Sequence, residues 1–470
     1  MVTRYDLIVV GMGSGGMVAA KFAASLDLRV LVVEKHRVGG DCLWTGCVPS
    51  KALLAAAKVA HHFRIADRFG IASVEPEIDL RAVWAKVREV QHAIAAGDDD
   101  PQRFRDAGIE LLIGRPASLV GPNTIAVGDE TYEGRHILLT TGSRPAVPTI
   151  EGLQDTGYLT SENLFELTDP PRSMTIIGGG PIALEMAQAC HRLGIDITVL
   201  QRGRHLLPRD EPSLVERLVS QLRLEGVRIV VDVDTVSAAR TADGRKEVRG
   251  TAAGVDAVWS AEEILVATGR VPNVDGLGAE PLGIVVGPKG IEVDDRLRTA
   301  VPTVYAAGDV AGRFLFTHSA GFEAVRAVRD AFFPGKGTFT ALVPWCTFTD
   351  PELAHAGMTT DEARAEFGDG EVRVWEMDLE HNDRARTDRA DGAIVLVTGP
   401  KGRLVGAHIL APAAGEMIHE LAFAIHEQRK LSDLSHFVHV YPTVAMAIGQ
   451  LAGEAVFESA KRFRWLVKRR

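Results

Sequence analysis

Cys42 and Cys47 lie in the run Gly39-Gly-Asp-Cys-Leu-Trp-Thr-Gly-Cys-Val-Pro-Ser-Lys51, with four residues between them. A disulfide closing so short a loop contributes little chain-entropy stabilisation, because that gain shrinks with loop length. Such a pair offers instead a reversible store of two electrons, with the thiolate as its reactive form. Lys51 follows Cys47 by four residues, so on a helix it shares that face and brings a cation toward the sulfur. The pair therefore reads as a redox-active dithiol.

A dithiol needs an electron source, and the flanking sequence supplies sites for one. The apolar run Tyr5-Asp-Leu-Ile-Val-Val10 leads into Gly11-Met-Gly-Ser-Gly-Gly16 and an alanine-rich helical stretch. Gly11, Gly13 and Gly16 permit a tight turn, close approach of a pyrophosphate and tight helix–strand packing. The helix N-terminus offers free N–H groups to the phosphates. The second strand, Val30-Leu-Val-Val-Glu34, ends in a carboxylate placed for ribose hydroxyls. The device recurs in Met174-Thr-Ile-Ile-Gly-Gly-Gly-Pro-Ile-Ala-Leu-Glu185, with Gly178, Gly180 and Ala183 at the same offsets. There the following strand, Ile195–Leu200, ends in Gln201, with Arg202 and Arg204 just beyond. An acid at this point selects an unphosphorylated ribose, and an arginine accommodates a 2′-phosphate. The pattern points to NADPH rather than NADH, the plain alternative being that both arginines are solvated surface charge.

With these motifs in hand, the chain resembles the flavin-dependent pyridine nucleotide–disulfide oxidoreductases, the family of lipoamide dehydrogenase, glutathione reductase and mercuric reductase. The resemblance runs through Thr140-Thr-Gly-Ser143, Ala267-Thr-Gly-Arg-Val-Pro-Asn273, Thr303-Val-Tyr-Ala-Ala-Gly-Asp309 and Phe348-Thr-Asp-Pro-Glu352. It implies an α/β fold with two Rossmann-like domains, for FAD and NAD(P)H, plus a C-terminal α+β dimerisation domain. The expected boundaries are 1–145 with 275–340 for FAD, 146–274 for NAD(P)H and 341–470 for the interface domain. Gly142, Gly269 and Asp309 fall in its nucleotide-binding motifs, Asp309 matching a residue on the ribityl chain. The resemblance implies hydride transfer from nicotinamide through FAD to the disulfide. It makes Cys47 the flavin-side sulfur, Cys42 the outer interchange sulfur, and Lys51 and Glu185 an ion pair beside the flavin. It also implies a homodimer whose active sites each borrow a C-terminal segment from the partner.

Two departures bear on the electron acceptor. Pro181 stands where many relatives place a tyrosine over the nicotinamide pocket, which leaves the flavin more open. Dithiol-specific relatives carry His-x-His-Pro-Thr-x-x-Glu, whereas this chain reads His439-Val-Tyr-Pro-Thr-Val-Ala-Met446. Tyr441 replaces the histidine base and Met446 the glutamate that orients it. A phenol with a reference pKa of about 10 stays protonated at neutral pH and makes a poor base. His439 lies two residues away, about 6–7 Å along an extended segment, and is expected to be a packed, structural histidine. Tyrosine at this place is a feature of mercuric reductases, yet the chain ends Glu458-Ser-Ala-Lys-Arg-Phe-Arg-Trp-Leu-Val-Lys-Arg-Arg470 without their vicinal cysteines. The expected acceptor is a metal ion, quinone or small disulfide. The alternatives are a lipoamide-dehydrogenase-like enzyme and a low-turnover flavoprotein component of a larger complex.

Bulk composition agrees with this reading. The 470 residues suggest about three domains. A hydrophobic content of 46% with 24% charged residues is ordinary for a globular protein. The net charge of −10 disfavours a nucleic-acid partner, which requires a basic surface. No apolar run approaches the ~20 residues of a membrane span, and no leader precedes the first strand, so a cytoplasmic location is expected. The basic, aromatic tail invites peripheral membrane contact, against the simpler reading of a solvated helix end. Cys190 and Cys346 are expected to be buried packing residues, and no metal site is expected.

Overall fold

The computed structural model describes residues 4–335, 342–462 and 464–466. The tail residues 463 and 467–470, with Lys468, Arg469 and Arg470 of the basic segment, lie outside the described residues.

The strand Arg4–Val10 sits at the centre of a seven-stranded sheet. It pairs in parallel with Val30–Glu34 on one side and Glu130–Leu139 on the other. Val304–Ala306 returns much later in the chain to pair with Glu130–Leu139, in parallel. The central strands are buried on both faces, so they read as continuous Val/Ile/Leu runs rather than alternating ones. Helices Ser14–Ala24 and Thr317–Phe332 pack together on one face, where a Cβ on Gly15 would lie 3.3 Å from the Ala320 carbonyl.

A second parallel sheet has the order Arg228–Val230, Asp196–Leu200, Ser173–Ile177, Glu263–Val266. An antiparallel trio, Val233–Arg240, Lys246–Ala252 and Val255–Ala261, lies beside it. A short ribbon joins the two nucleotide-type units, with Ser143–Pro145 antiparallel to Arg270–Pro272. The C-terminal part is a five-stranded antiparallel sheet from Trp345–Thr347 to Arg373–Asp378. Helices Ala414–His426 and Met446–Arg462 cover one face of it, burying Ile418, Leu421, Ile448 and Leu451 against Ile394 and Ile409. The α/β class and its antiparallel C-terminal part are thus as expected.

One buried polar cluster ties these parts together. The Arg192 guanidinium, 4% exposed, makes two hydrogen bonds of 2.8 Å to the Glu225 carboxylate and one of 2.8 Å to Asp350. The Gln188 amide donates to the Asp350 carbonyl and accepts from its N–H. A buried pair of this kind stabilises only when its hydrogen bonds are satisfied, and losing one partner strands the other charge.

Candidate active site

Cys47 is the first residue of the 18-residue helix Cys47–Arg64, whose N-cap Gly46 supplies no side-chain cap. The sulfur therefore sits at an uncapped helix N-terminus, whose partial positive charge favours a thiolate. Both cysteines are free thiols and hydrogen-bond each other. That hydrogen bond, with one from Thr317 and the charge of Lys51, pulls the Cys47 thiol down to about 6 against the opposing effect of burial. Cys42 is pushed well above the ordinary thiol range by the same hydrogen bond and by burial. The two sulfurs thus divide one proton, with Cys47 as the anion. Thr317, whose hydroxyl is 3.3 Å from the Cys47 sulfur, opens the helix that packs on the first glycine-rich helix. Its role was not readable in the sequence, because 270 residues separate the pair.

Lys51 Nζ lies 2.9 Å from Glu185, and 4.3 Å above the Phe348 ring. The other Glu185 oxygen accepts the Phe348 N–H at 2.9 Å. The helix from the cysteines, the helix after the second glycine turn and the C-terminal sheet therefore converge on this carboxylate. Pro181 and Ile182 are exposed at the start of helix Pro181–Arg192, so no aromatic ring stands at that position.

The first glycine turn can hold a dinucleotide pyrophosphate. Gly11 has φ +102°, and a Cβ there would fall 2.4 Å from the Thr140 carbonyl oxygen. One on Gly16 would fall 1.9 Å from the Gly11 carbonyl. Gly13 caps the helix with no side-chain hydrogen bond, leaving its N–H groups free for phosphate oxygens. Glu34 is buried and accepts the Met12 and His36 N–H groups at 2.6 and 2.7 Å, which holds it at the turn. Asp309 accepts from the Ser143 hydroxyl at 2.5 Å, and burial raises its pKa. Glu323, with no exposure, accepts the Gly308 N–H at 2.7 Å through one oxygen while the other has no partner. The Ser319 hydroxyl, one turn earlier on the same helix, is also buried without a partner. Such orphaned polar atoms beside an uncapped glycine turn suit a bound polar cofactor, so the residues fit FAD.

In the second turn, Gly178 has φ +130°, and its Cβ would meet the Ala267 carbonyl at 2.3 Å. Gly180 opens to free space and Ala183 is fully buried. Gln201 packs against Gly179 and donates its amide to the His205 carbonyl. Arg202 and Arg204 are exposed, and Arg204 lies 3.6 Å from Asp232. Gly142 and Gly269, both with positive φ, accept N–H groups from Asn273 and Ala146 at the joining ribbon.

Tyr441 stands apart from this cluster. Its ring is 67% exposed and its hydroxyl donates to Asp383 at 3.0 Å, which holds the phenol above its usual pKa. His439 Nε2 is 3.0 Å from Glu420, and its ring lies against Gly449, where a Cβ would come within 2.6 Å of Nδ1. The histidine is therefore fixed away from the phenol. Val438 and Val440 are 95% and 75% exposed, so the segment presents an apolar face. Cys190 is fully buried, and burial raises its thiol to about 12. Cys346 is half-buried rather than fully buried: it packs against the C-terminal core beside Glu352 and Gly415, and burial raises its thiol. Among the described residues, no group of three metal-type ligands occurs, and no helix is long and apolar enough to cross a membrane.

Two nucleotide turns, a dithiol at a helix N-terminus and a lysine–glutamate pair beside it define a flavoprotein class that moves electrons between nicotinamide and sulfur. Comparison with known proteins bears this out. The family described as "Pyridine nucleotide-disulphide oxidoreductase" matches residues 5–324, and its dimerisation domain matches residues 343–452. A dihydrolipoyl dehydrogenase of Thermus scotoductus is 34% identical, over 97% of this chain and 98% of its own. A glutathione reductase of Burkholderia cepacia is 35% identical, over 94% and 97%. A mercuric reductase of Streptomyces lividans is 33% identical, over 98% of both. Among solved structures, the HOCl-induced flavoprotein disulfide reductase RclA from Escherichia coli, in a Cu(II) complex, aligns with a TM-score of 0.84. It is 25% identical, over 96% of this chain and 99% of its own. The chain belongs to the pyridine nucleotide–disulphide oxidoreductase family. It is an oxidoreductase that uses FAD and a pyridine nucleotide. Its dimerisation domain supports a homodimer.

Proposed function

We propose that this chain is an NADPH-dependent reductase whose Cys42–Cys47 dithiol delivers electrons to an oxidised metal ion or a quinone. Tyr441 carries the reading: by the resemblance it replaces a thiol-directed base, and its protonated phenol is held by Asp383 while His439 is committed to Glu420. A departing thiol must be protonated, whereas a metal ion or quinone that accepts electrons releases none. Bound FAD supplies the two-electron carrier between nicotinamide and sulfur, held by the Gly11–Gly16 turn, Glu34 and Asp309. Gln201, Arg202 and Arg204 would receive the 2′-phosphate of NADPH, since the strand ends in Gln201 rather than in a carboxylate. Hydride equivalents from NADPH break the disulfide, leaving the proton on Cys42 and the charge on Cys47. One quinone, one Hg(II) or two Cu(II) ions then take the two electrons and the S–S bond re-forms; the Cys42 proton passes to the reduced quinone, which takes its second proton from solvent, or, with a metal ion, is released to solvent. Tyr441 of one subunit would face Cys42 of the other. The Streptomyces lividans mercuric reductase and the Cu(II) complex of RclA are in keeping with a metal acceptor.

Anaerobic NADPH titration followed by an acceptor comparison tests the reading. The expected result is a long-wavelength charge-transfer band after two electrons, fading as pH falls through about 6 when Cys47 takes up its proton. Turnover with Cu(II), Hg(II) or a benzoquinone should exceed that with lipoamide or glutathione disulfide. Faster turnover with either disulfide would overturn it.

A further inference from the structure

Asp41 and Arg270 form a contact that the chemistry above does not use. Asp41 immediately precedes Cys42 on the five-residue helix Gly40–Trp44, and its carboxylate accepts from Arg270. The far end of that helix is well held: the Gln91 amide donates to the Leu43 and Trp44 carbonyls, and the Trp44 indole donates to Val38. The near end begins with Gly39 and Gly40, both at positive φ, and has no side-chain cap. Ser14 and Thr317 hydrogen-bond the Cys42 thiol itself, and Arg270 restrains the carboxylate of the residue before it.

Arg270 is itself pre-oriented. It is 15% exposed, and its guanidinium donates to the Ser143 hydroxyl at 2.6 Å and to the Ser143 carbonyl at 2.9 Å. It also lies 3.6 Å from Asp309, to which Ser143 donates. One planar guanidinium thus serves the cysteine helix on one side and the Ser143–Asp309 pair on the other, as its fixed fork of five donors allows. An exposed ion pair formed by two free side chains would contribute little. Here the arginine is already fixed by Ser143, so the bond to Asp41 orders mainly one short side chain.

We propose that Asp41 and Arg270 are positioning residues that hold Cys42 in register with the Asp309 site, so that the outer thiol meets its acceptor from one fixed place. The inference rests on the reading of Cys42 as the outer thiol. Asp41→Asn, Arg270→Gln and the double variant, each as the FAD-loaded enzyme, are compared with Cys42→Ser. Each single variant should lower kcat with Cu(II) or benzoquinone about tenfold, the effect of one charge-assisted hydrogen bond, with KM for NADPH and the rate of reduction by NADPH unchanged. The double variant should be no slower than either single one, since contacting residues are not additive. Asp41→Glu should restore part of the rate. If Cys42→Ser abolishes turnover while Asp41→Asn stays within twofold of wild type, or if the two effects multiply, the positioning role is wrong. If Cys42→Ser leaves turnover intact, the dithiol reading itself has failed. Should Arg270→Gln lose FAD, half-exposed Asp41 still decides the matter through Asp41→Asn alone.

Discussion

The two glycine turns solve one backbone problem and part company at the ligand. Gly11 and Gly178 both hold positive φ because a crossing carbonyl, Thr140 in one and Ala267 in the other, occupies the space of a Cβ. At the third position they diverge. Gly16 lies so close to Gly11 that no side chain fits, whereas Ala183 buries a methyl in the equivalent place. The strands that follow diverge as well, one ending in buried, doubly hydrogen-bonded Glu34, the other in Gln201 beside exposed arginines. On the proposed reading, the first turn would be a closed seat for a resident cofactor. At Gly180 the second opens to free space, as would suit a nucleotide that must leave each cycle.

Substitutions can break this contrast. The largest effect is expected from Gly16→Ala, whose Cβ would drive into the Gly11 carbonyl. The purified variant should carry little FAD at 450 nm or fail to accumulate. Gln201→Glu combined with Arg202→Ala and Arg204→Ala should come next, lowering the NADPH-to-NADH preference in kcat/KM by about 100-fold, the scale of two charge-assisted contacts. Glu323 gives a pH test of the closed seat. Burial lifts its carboxyl to about 7 from 4.5, so the folded state keeps a proton that the unfolded chain loses. Stability should be greatest below about 4.5 on this account and fall as pH rises to about 7. In Glu323→Gln, the thermal midpoint should lose that slope between pH 5 and 7. Ala183→Gly should do least, costing about 1 kcal/mol by chain entropy, with NADPH kinetics unchanged.

What the sequence revealed was whatever is local along it. Each glycine turn, the Cys42–Lys51 run and Glu185 sit inside short stretches whose spacing alone dictates a strand, a turn and a helix. The relations that shape the site were hidden because they span the chain. Arg270 meets Asp41 across 229 residues, and Cys47 meets Thr317 across 270. Only the fold reveals that His439 is occupied by Glu420 and Tyr441 by Asp383. Cys346 lies beside Gly415, a neighbour that no periodicity around the cysteine could announce.

The Arg192 cluster has a consequence for rhythm. Its guanidinium is shared between Glu225, at the end of helix Pro212–Glu225, and Asp350, in the connection between the first two strands of the C-terminal sheet, and swinging those parts apart would expose three charges at once. Opening between those parts is therefore costly, and turnover is expected to proceed without it. On that expectation the tempo is set by arriving and departing molecules. Added viscogen should slow it only as far as it slows their diffusion.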